Sequence, residues 1–330
     1  MENSHAPVWT GLPSAPSVVF HYTSAHGFLG MVQSGQLWAT EASGLNDYSE
    51  IKEGESYIGD RWREERERFT GILGREKADI VDEFLSGSIV LADGLDGVFV
   101  ACASACKDDA NQWRLYADNG RGFSVELDTS VRLEISVPGQ SGADHDPEWD
   151  LPSGEAVTEW APVMYDKDSR NCAFEDLVTW ASGIEDSTGG RHSEEDISSM
   201  DRDSRYIDNA SRLGLSISRL AQFVKGPGFS GENESRLVVT PGYWTNPKII
   251  SFRASTVGIV RYLCIQAAET LDRHDEKSRG ARVRTLPIRS ITVGPAQNFE
   301  LVRPSLEALL DRYGYRGVEI KRSTTSLRWT

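Results

Sequence analysis

Apolar positions fall into short runs whose spacing changes along the chain. Val18, Val19 and Phe20 are consecutive β-formers, so they predict a strand from which His21 and Thr23 leave on one face and Tyr22 on the other. Ser24 is placed to N-cap a helix with Phe28, Leu29 and Val32 on its apolar stripe, and Gly35 suits its C-terminal turn. A Leu37-Trp38-Ala39-Thr40 strand follows, then a turn in which Ser49 caps a helix starting at Glu50, opening a charged helical region that reaches about Leu85. Strands are expected around Val98–Ala101 and Phe123–Leu127, with Trp113 and Tyr116 between them at a spacing that puts both on one helical face. A helix from about Arg205 to Lys225 turns Ile207, Leu213, Ile217, Leu220 and Phe223 inward. Strands at Leu237, Ile249, Tyr262 and Ile291, a helix near Leu301–Leu310 and a last strand at Val318 complete the pattern. Residues 138–155 and 182–203 are polar or rich in Gly and Pro, and predict irregular excursions from the core. The sum is a single α+β domain over residues 1–330, with a split, mostly antiparallel sheet and flanking helices.

Composition narrows the classes. The chain has 330 residues, 39% hydrophobic and 26% charged, enough to bury one substantial core or two smaller ones. No run approaches the ~18 apolar residues of a membrane helix, and Met1–Thr10 lacks the basic start and apolar centre of a signal peptide, so cytoplasmic residence with no membrane partner is expected. Cys102, Cys106, Cys172 and Cys264 form no paired metal-binding spacing; they read as reduced, buried thiols, and no metal is expected. A formal net charge of -15 disfavours a nucleic-acid backbone as partner without excluding it, since Arg261, Arg273, Lys277, Arg279, Arg282 and Arg284 form a locally basic stretch. Neither a Gly-x-Gly-x-x-Gly turn nor a Walker loop occurs, which argues against hydride transfer on a dinucleotide fold and against phosphoryl transfer.

The candidate chemistry lies where loop becomes strand. Gly226, Pro227, Gly228 and Gly231 stop the preceding helix, and Glu232 and Glu234 follow at a spacing of two, which aims both carboxylates to one face. Their repulsion raises one pKa unless a cation such as Arg236 or Lys225 compensates. Such a pair suits general acid/base work; it equally suits a solvated ion-pair cluster. His21 reads either as a hydrogen-bonded structural histidine at a strand end or as a site residue, and Asn46 and Glu50 either as turn residues or as the rim of a pocket. Trp113 and Tyr116 either fill the core or stack on a ligand.

Four blocks resemble the bacterial proteins grouped as the DUF2971 family. They are His21-Tyr22-Thr23 with Trp38-Ala39-Thr40 and Asn46-Asp47…Glu50; Trp113-Arg114-Leu115-Tyr116-Ala117-Asp118…Gly122; Lys225…Phe229…Glu232-Asn233-Glu234-Ser235-Arg236-Leu237; and Gly294-Pro295 with Val318–Ser323. More loosely, a His-x-Thr strand, an internal aromatic motif and a late Glu-x-Glu resemble the ADP-ribosyltransferase superfamily of the His-Tyr-Glu type, which implies an ADP-ribosyltransferase-like fold. That resemblance implies NAD as substrate, His21 holding a ribose hydroxyl, Tyr116 or Trp113 stacking on nicotinamide, and Glu234 steadying the ribose as the glycosidic bond breaks. Glu232 would accept a proton from the acceptor, while Tyr22, Thr23, Ser24, Asn46, Arg114, Arg121 and Arg236 would line the nucleotide. The chain departs from that pattern in offering only a single Ser, Ser124, on its middle strand. The expected function is an NAD-consuming transferase or glycohydrolase with an unidentified acceptor, whether metabolite, protein, nucleobase or water. The alternatives are an enzyme acting on another nucleoside or nucleotide N-glycosidic bond, and a non-catalytic nucleotide-sensing module in bacterial defence.

Overall fold

The computed structural model describes residues 8–44, 48–87, 97–136, 156–186, 199–240, 247–255, 258–268 and 285–326. Strand β1 (Val18–Thr23) leads into α1 (Ala25–Ser34), which begins where Ser24 Oγ accepts the Gly27 N–H and ends at Gly35, in the left-handed conformation at φ 67°. Strand β2 (Leu37–Glu41) follows, and the charged region becomes three helices, α2 (Tyr48–Glu64), α3 (Arg66–Leu73) and α4 (Arg75–Leu85). Helix α2 thus starts at Tyr48, one residue before Ser49. Next come β3 (Phe99–Ser104), α5 (Ala110–Tyr116), β4 (Phe123–Asp128), β5 (Leu133–Ile135) and β6 (Ala161–Pro162). Helices α6 (Lys167–Ser182) and α7 (Ser199–Ala221) precede β7 (Glu234–Val239), β8 (Ile250–Ser255), β9 (Gly258–Ala267) and β10 (Ile288–Val293); α8 (Phe299–Arg312) and β11 (Glu319–Arg322) close the order. The excursion expected at 138–155 lies outside the described residues, whereas that at 182–203 is helical at its far end, from Ser199 onward.

The described strands make one open sheet in the order β11-β10-β4-β1-β3-β2-β9-β5, with β7 on β3, β6 on β7 and β8 on β9. Pairing is antiparallel except between β10 and β11. The expected α+β class, with a mostly antiparallel sheet and flanking helices, is what the chain adopts.

Each face of the sheet buries its own core, which is what period-two strands require. Phe28, Met31 and Val32 of α1 and Leu306 and Leu310 of α8 pack on Val19, Ala101, Val125, Leu237 and Ile291. On the other face Ile58, Trp62, Phe69, Ile80, Phe174, Leu213, Ile217 and Leu220, from α2, α3, α4, α6 and α7, pack on Val100 and Val238. Helix α7 meets α2 closely at Gly54, where an added Cβ would lie 2.1 Å from Ala221 O. Ile207, expected inside, is 64% exposed on α7, one turn before the buried stripe begins at Ala210.

Strand β3 organises the centre. One edge pairs with β7 along its whole length, Phe99↔Val239 to Ser104↔Glu234. The other edge is shared: β2 pairs with its start (Glu41↔Phe99, Thr40↔Val100) and β1 touches only its end (Phe20↔Ser104). Between Val100 and Ser104 no register partner occurs on that edge among the described residues, so the sheet splits there, β1 turning toward β4 and β2 toward β9.

Candidate functional site

Side chains of β3 and β7 that share a face alternate with those of the core. Register puts Cys102 opposite Arg236 and Ser104 opposite Glu234, so these four converge on the face of the α2–α7 core. Glu232 ends a 3-10 turn over Pro227–Glu232, Asn233 takes the left-handed conformation at φ 45°, and Glu234 begins β7. That single left-handed residue, of a type that tolerates φ > 0, turns the chain so that both glutamates meet one ammonium group. Lys225 Nζ donates to Glu232 Oε2 at 2.6 Å and to Glu234 Oε2 at 3.3 Å. Arg236 donates from Nε to Glu234 Oε1 at 2.7 Å, from Nη2 to Oε2 at 3.0 Å, and from Nη1 to Gln222 O at 2.6 Å.

Burial gives these contacts their weight. Lys225, Arg236 and Glu234 are 2%, 3% and 8% exposed. Burial pushes the Glu234 carboxyl up, but the Arg236 and Lys225 cations and a Cys102 thiol hydrogen bond outweigh it and hold the group below its ordinary 4.5. The same burial, with Glu234 beside it, pushes the Cys102 thiol well up, so it stays protonated and serves as donor.

Other elements fix the frame. Ser104 Oγ at 2.8 Å and Gln112 Nε2 at 3.1 Å both donate to Glu232 O, pinning the glutamate loop to β3 and α5. Arg170 on α6 donates to Met164 O and Lys225 O, and the Glu53 carboxylate lies against Gly226, where a Cβ would meet it at 2.8 Å. Lys225 Nζ also sits 4.6 Å from the centre of the Phe229 ring.

The two aromatic residues of α5 part company. Trp113 is fully buried, its indole N–H on Asp108 Oδ1 at 2.8 Å and its ring edge-on to Tyr22 at 5.0 Å. A spacing of three does not equate them, because α5 is only two turns long and ends at Tyr116, which projects past the core and is 43% exposed. Trp113 and Tyr22 therefore have no face to offer a ligand, while Tyr116 donates a long hydrogen bond to Glu232 Oε1 at 3.4 Å. Burial and the neighbouring Glu232 push its phenol up. Tyr22 is fully engaged in the fold, its hydroxyl donating to Cys106 O and accepting from Asp109 N, both at 2.9 Å.

His21 approaches from the opposite face. It shares the side of Val19 and is registered with Val125, both in the α1–α8 core, whereas Glu234 shares the side of Val238. The two converge on one residue: His21 Nδ1 lies 2.8 Å from Cys102 O, filling the unpaired stretch of β3, and Glu234 takes the Cys102 thiol. A carbonyl only accepts, so Nδ1 carries the proton and Nε2 of the neutral ring is left as an acceptor. Burial lowers the imidazole pKa, against the pull of that hydrogen bond.

Of the remaining sequence candidates, Ser24 is committed as the N-cap of α1, Thr23 packs its hydroxyl beside Gly27, and Arg114 is exposed on α5. Asn46 lies outside the described residues. Sequence reasoning passed over Tyr165, whose Oη accepts the Glu234 N–H at 3.0 Å, and Cys102, which links the two faces. Alternation from Val98 could have flagged Cys102 as facing the glutamates, but only once β3 was paired with β7. The thiols are free; Cys102, Cys106 and Cys264 are half-buried, and Cys172, expected buried, is exposed on α6. Arg261 of the basic stretch is paired with Glu41, and its remaining members lie outside the described residues. No group of metal-binding side chains occurs, and no helix is long and apolar enough to cross a membrane, among the described residues.

The model of the family described as "Protein of unknown function (DUF2971)" matches residues 112–237. The DUF2971 resemblance therefore holds across the Trp113–Gly122 and Lys225–Leu237 blocks. Gln112, Tyr116, Tyr165, Lys225, Glu232, Glu234 and Arg236 all fall within that range, whereas His21 and the Gly294–Ser323 block fall outside it. No curated protein and no solved structure matches the chain.

Proposed function

We propose that the chain is an NAD-consuming enzyme that breaks the nicotinamide–ribose bond and passes ADP-ribose to water or another acceptor. The observation that carries this reading is the carboxylate pair held by one lysine, Glu232–Lys225–Glu234, at the rim where Tyr116 is exposed. Breaking that bond sends its electron pair to nicotinamide and leaves oxocarbenium character on the ribose, which an ionised carboxylate stabilises best. Glu234, held ionised by Arg236 and Lys225, suits that role. Glu232, with the more exposed side chain of the two, would take the proton of the incoming nucleophile as the new C–O bond forms. Tyr116 would stack on nicotinamide, while His21, on the opposite face of the sheet, would act through its contact with Cys102 O.

The complete pairing of Glu234 favours one second reading, a nucleotide-sensing module in which the carboxylate is structural. Nicotinamide release from NAD by the wild type, Glu232→Gln and Glu234→Gln, with products identified by mass spectrometry, separates the two. The enzyme reading expects release that falls about 10²–10⁴-fold in Glu232→Gln and is lost in Glu234→Gln. Binding of NAD by calorimetry without release, unchanged in Glu234→Gln, would favour the sensing module. Neither release nor binding would sink both.

A further inference from the structure

Tyr165 lies between the two-residue strand β6 and Asp166, the N-cap of α6, and no local sequence pattern ties it to the glutamate loop. Its hydroxyl nevertheless accepts the backbone N–H of Glu234 at 3.0 Å. A phenol has one proton and can accept as well as donate. With acceptance directed at Glu234 N, the proton is aimed elsewhere, and among the described residues it meets no protein acceptor. The side chain is half-buried. Burial, together with the Glu234 charge, pushes the phenol up to about 12, which keeps that proton in place across the physiological range.

Two hydroxyls thus touch the paired glutamates, Tyr116 at the Glu232 carboxylate and Tyr165 at the Glu234 backbone N–H. Tyr116 spends its proton on Glu232 Oε1, and Tyr165 does not. A ligand that sets an oxygen beside the first residue of β7 would complete this donor, and in a dinucleotide the oxygens that must lie within reach of Glu234 are those of the ribose undergoing cleavage.

We propose that Tyr165 is a further ligand-binding residue of this site, donating its hydroxyl proton to a hydroxyl oxygen of the ribose that Glu234 engages. This rests on the NAD-consuming reading above. Because the bond is made to a hydroxyl that does not change charge at the reacting bond, it holds substrate and transition state alike, and its loss raises KM while leaving kcat in place.

The test pairs Tyr165→Phe, which removes one oxygen, with NAD analogues that lack the 2′- or the 3′-hydroxyl of the nicotinamide ribose. Release of nicotinamide is measured for each combination. One neutral hydrogen bond corresponds to a rise of about 3- to 10-fold in KM for NAD in Tyr165→Phe, with kcat within about twofold. The wild type should disfavour one deoxy analogue by a similar factor, and Tyr165→Phe should not. That loss of discrimination is not produced by a merely structural role, since weakening the Glu234 N–H contact would affect every substrate equally. Wild-type turnover with equal discrimination in both proteins, or a fall confined to kcat, overturns the assignment of Tyr165 and leaves the NAD reading standing. A wild type that neither binds nor cleaves NAD removes both.

Discussion

Arg236→Met should reverse the sign of one part of the stability profile with pH. Arg236 donates twice to Glu234 and once to Gln222 O, and Glu234 is too buried for solvent to take its place. In the wild type the Glu234 carboxyl lies below 4.5, so the folded state binds its proton less readily than the unfolded chain. The stability this contributes is complete above about pH 4.5 and is lost as pH falls through the folded value. With the guanidinium gone, burial becomes the dominant influence and Lys225 at 3.3 Å is the remaining cation among the described residues, so the folded pKa rises above 4.5. The variant is then at its least unstable in acid and loses stability as pH rises through 4.5 toward the raised value. Breaking a buried pair in this way costs about 3–5 kcal/mol near neutrality, shrinking toward about 1 kcal/mol once Glu234 is protonated and only neutral hydrogen bonds are missing. Urea unfolding of both proteins between pH 4 and pH 7.5 measures the gap directly. Acids remote from the cluster contribute alike to both chains, so the difference isolates this cluster. A gap that stays constant with pH would refute the account of Glu234 as an ionised group held by Arg236.

Trp113→Ala should cost about 3–5 kcal/mol in urea unfolding, because it empties a fully buried site; unchanged stability with lost ligand affinity would instead assign the indole to a ligand. Gly122→Ala should be far more destabilising than Gly228→Ala, since a Cβ at the former would stand 2.0 Å from Thr23 O and at the latter meets nothing within 4 Å; similar melting temperatures would contradict that packing. Asp108→Asn should weaken the attachment of the chain after β11, where Asp108 accepts from Ser323 Oγ at 2.5 Å and from Thr324 N at 2.7 Å; faster cleavage after β11 in limited proteolysis is the expected result. His21 has a folded pKa below 6.5, so its share of stability is present above 6.5 and falls as pH drops through the folded value. His21→Gln should flatten that part of the profile in thermal unfolding, and an unchanged slope would count against it.

Elements whose signals are local can be read from the residues alone. Ser24 and Gly35 bound α1 because capping depends on residues within one turn, and Val18–Thr23 is a strand because β-branched and aromatic residues suit a pleated, half-buried surface. The Gly-Pro-Gly loop and the paired glutamates were likewise legible, as was the need for Lys225 or Arg236 beside them, since two neighbouring carboxylates demand a cation. What local signals could not decide was burial and pairing. Trp113 and Tyr116 share a predicted face, yet one is in the core and the other at the rim, because α5 stops there and only the sheet beneath fixes where the core ends. Ile207 carries the right period but lies beyond the edge of what α7 covers. His21 and Glu234 lie 213 positions apart in sequence, and nothing in either segment records that β3 sits between their strands. Period-two alternation then sends their side chains to opposite faces, with Cys102 as the shared contact. Tyr165 came to Glu234 the same way, through the pairing of β6 with β7. Strand register is set by long-range packing, and a one-residue shift in it would exchange every side chain that faces the site for one that faces away.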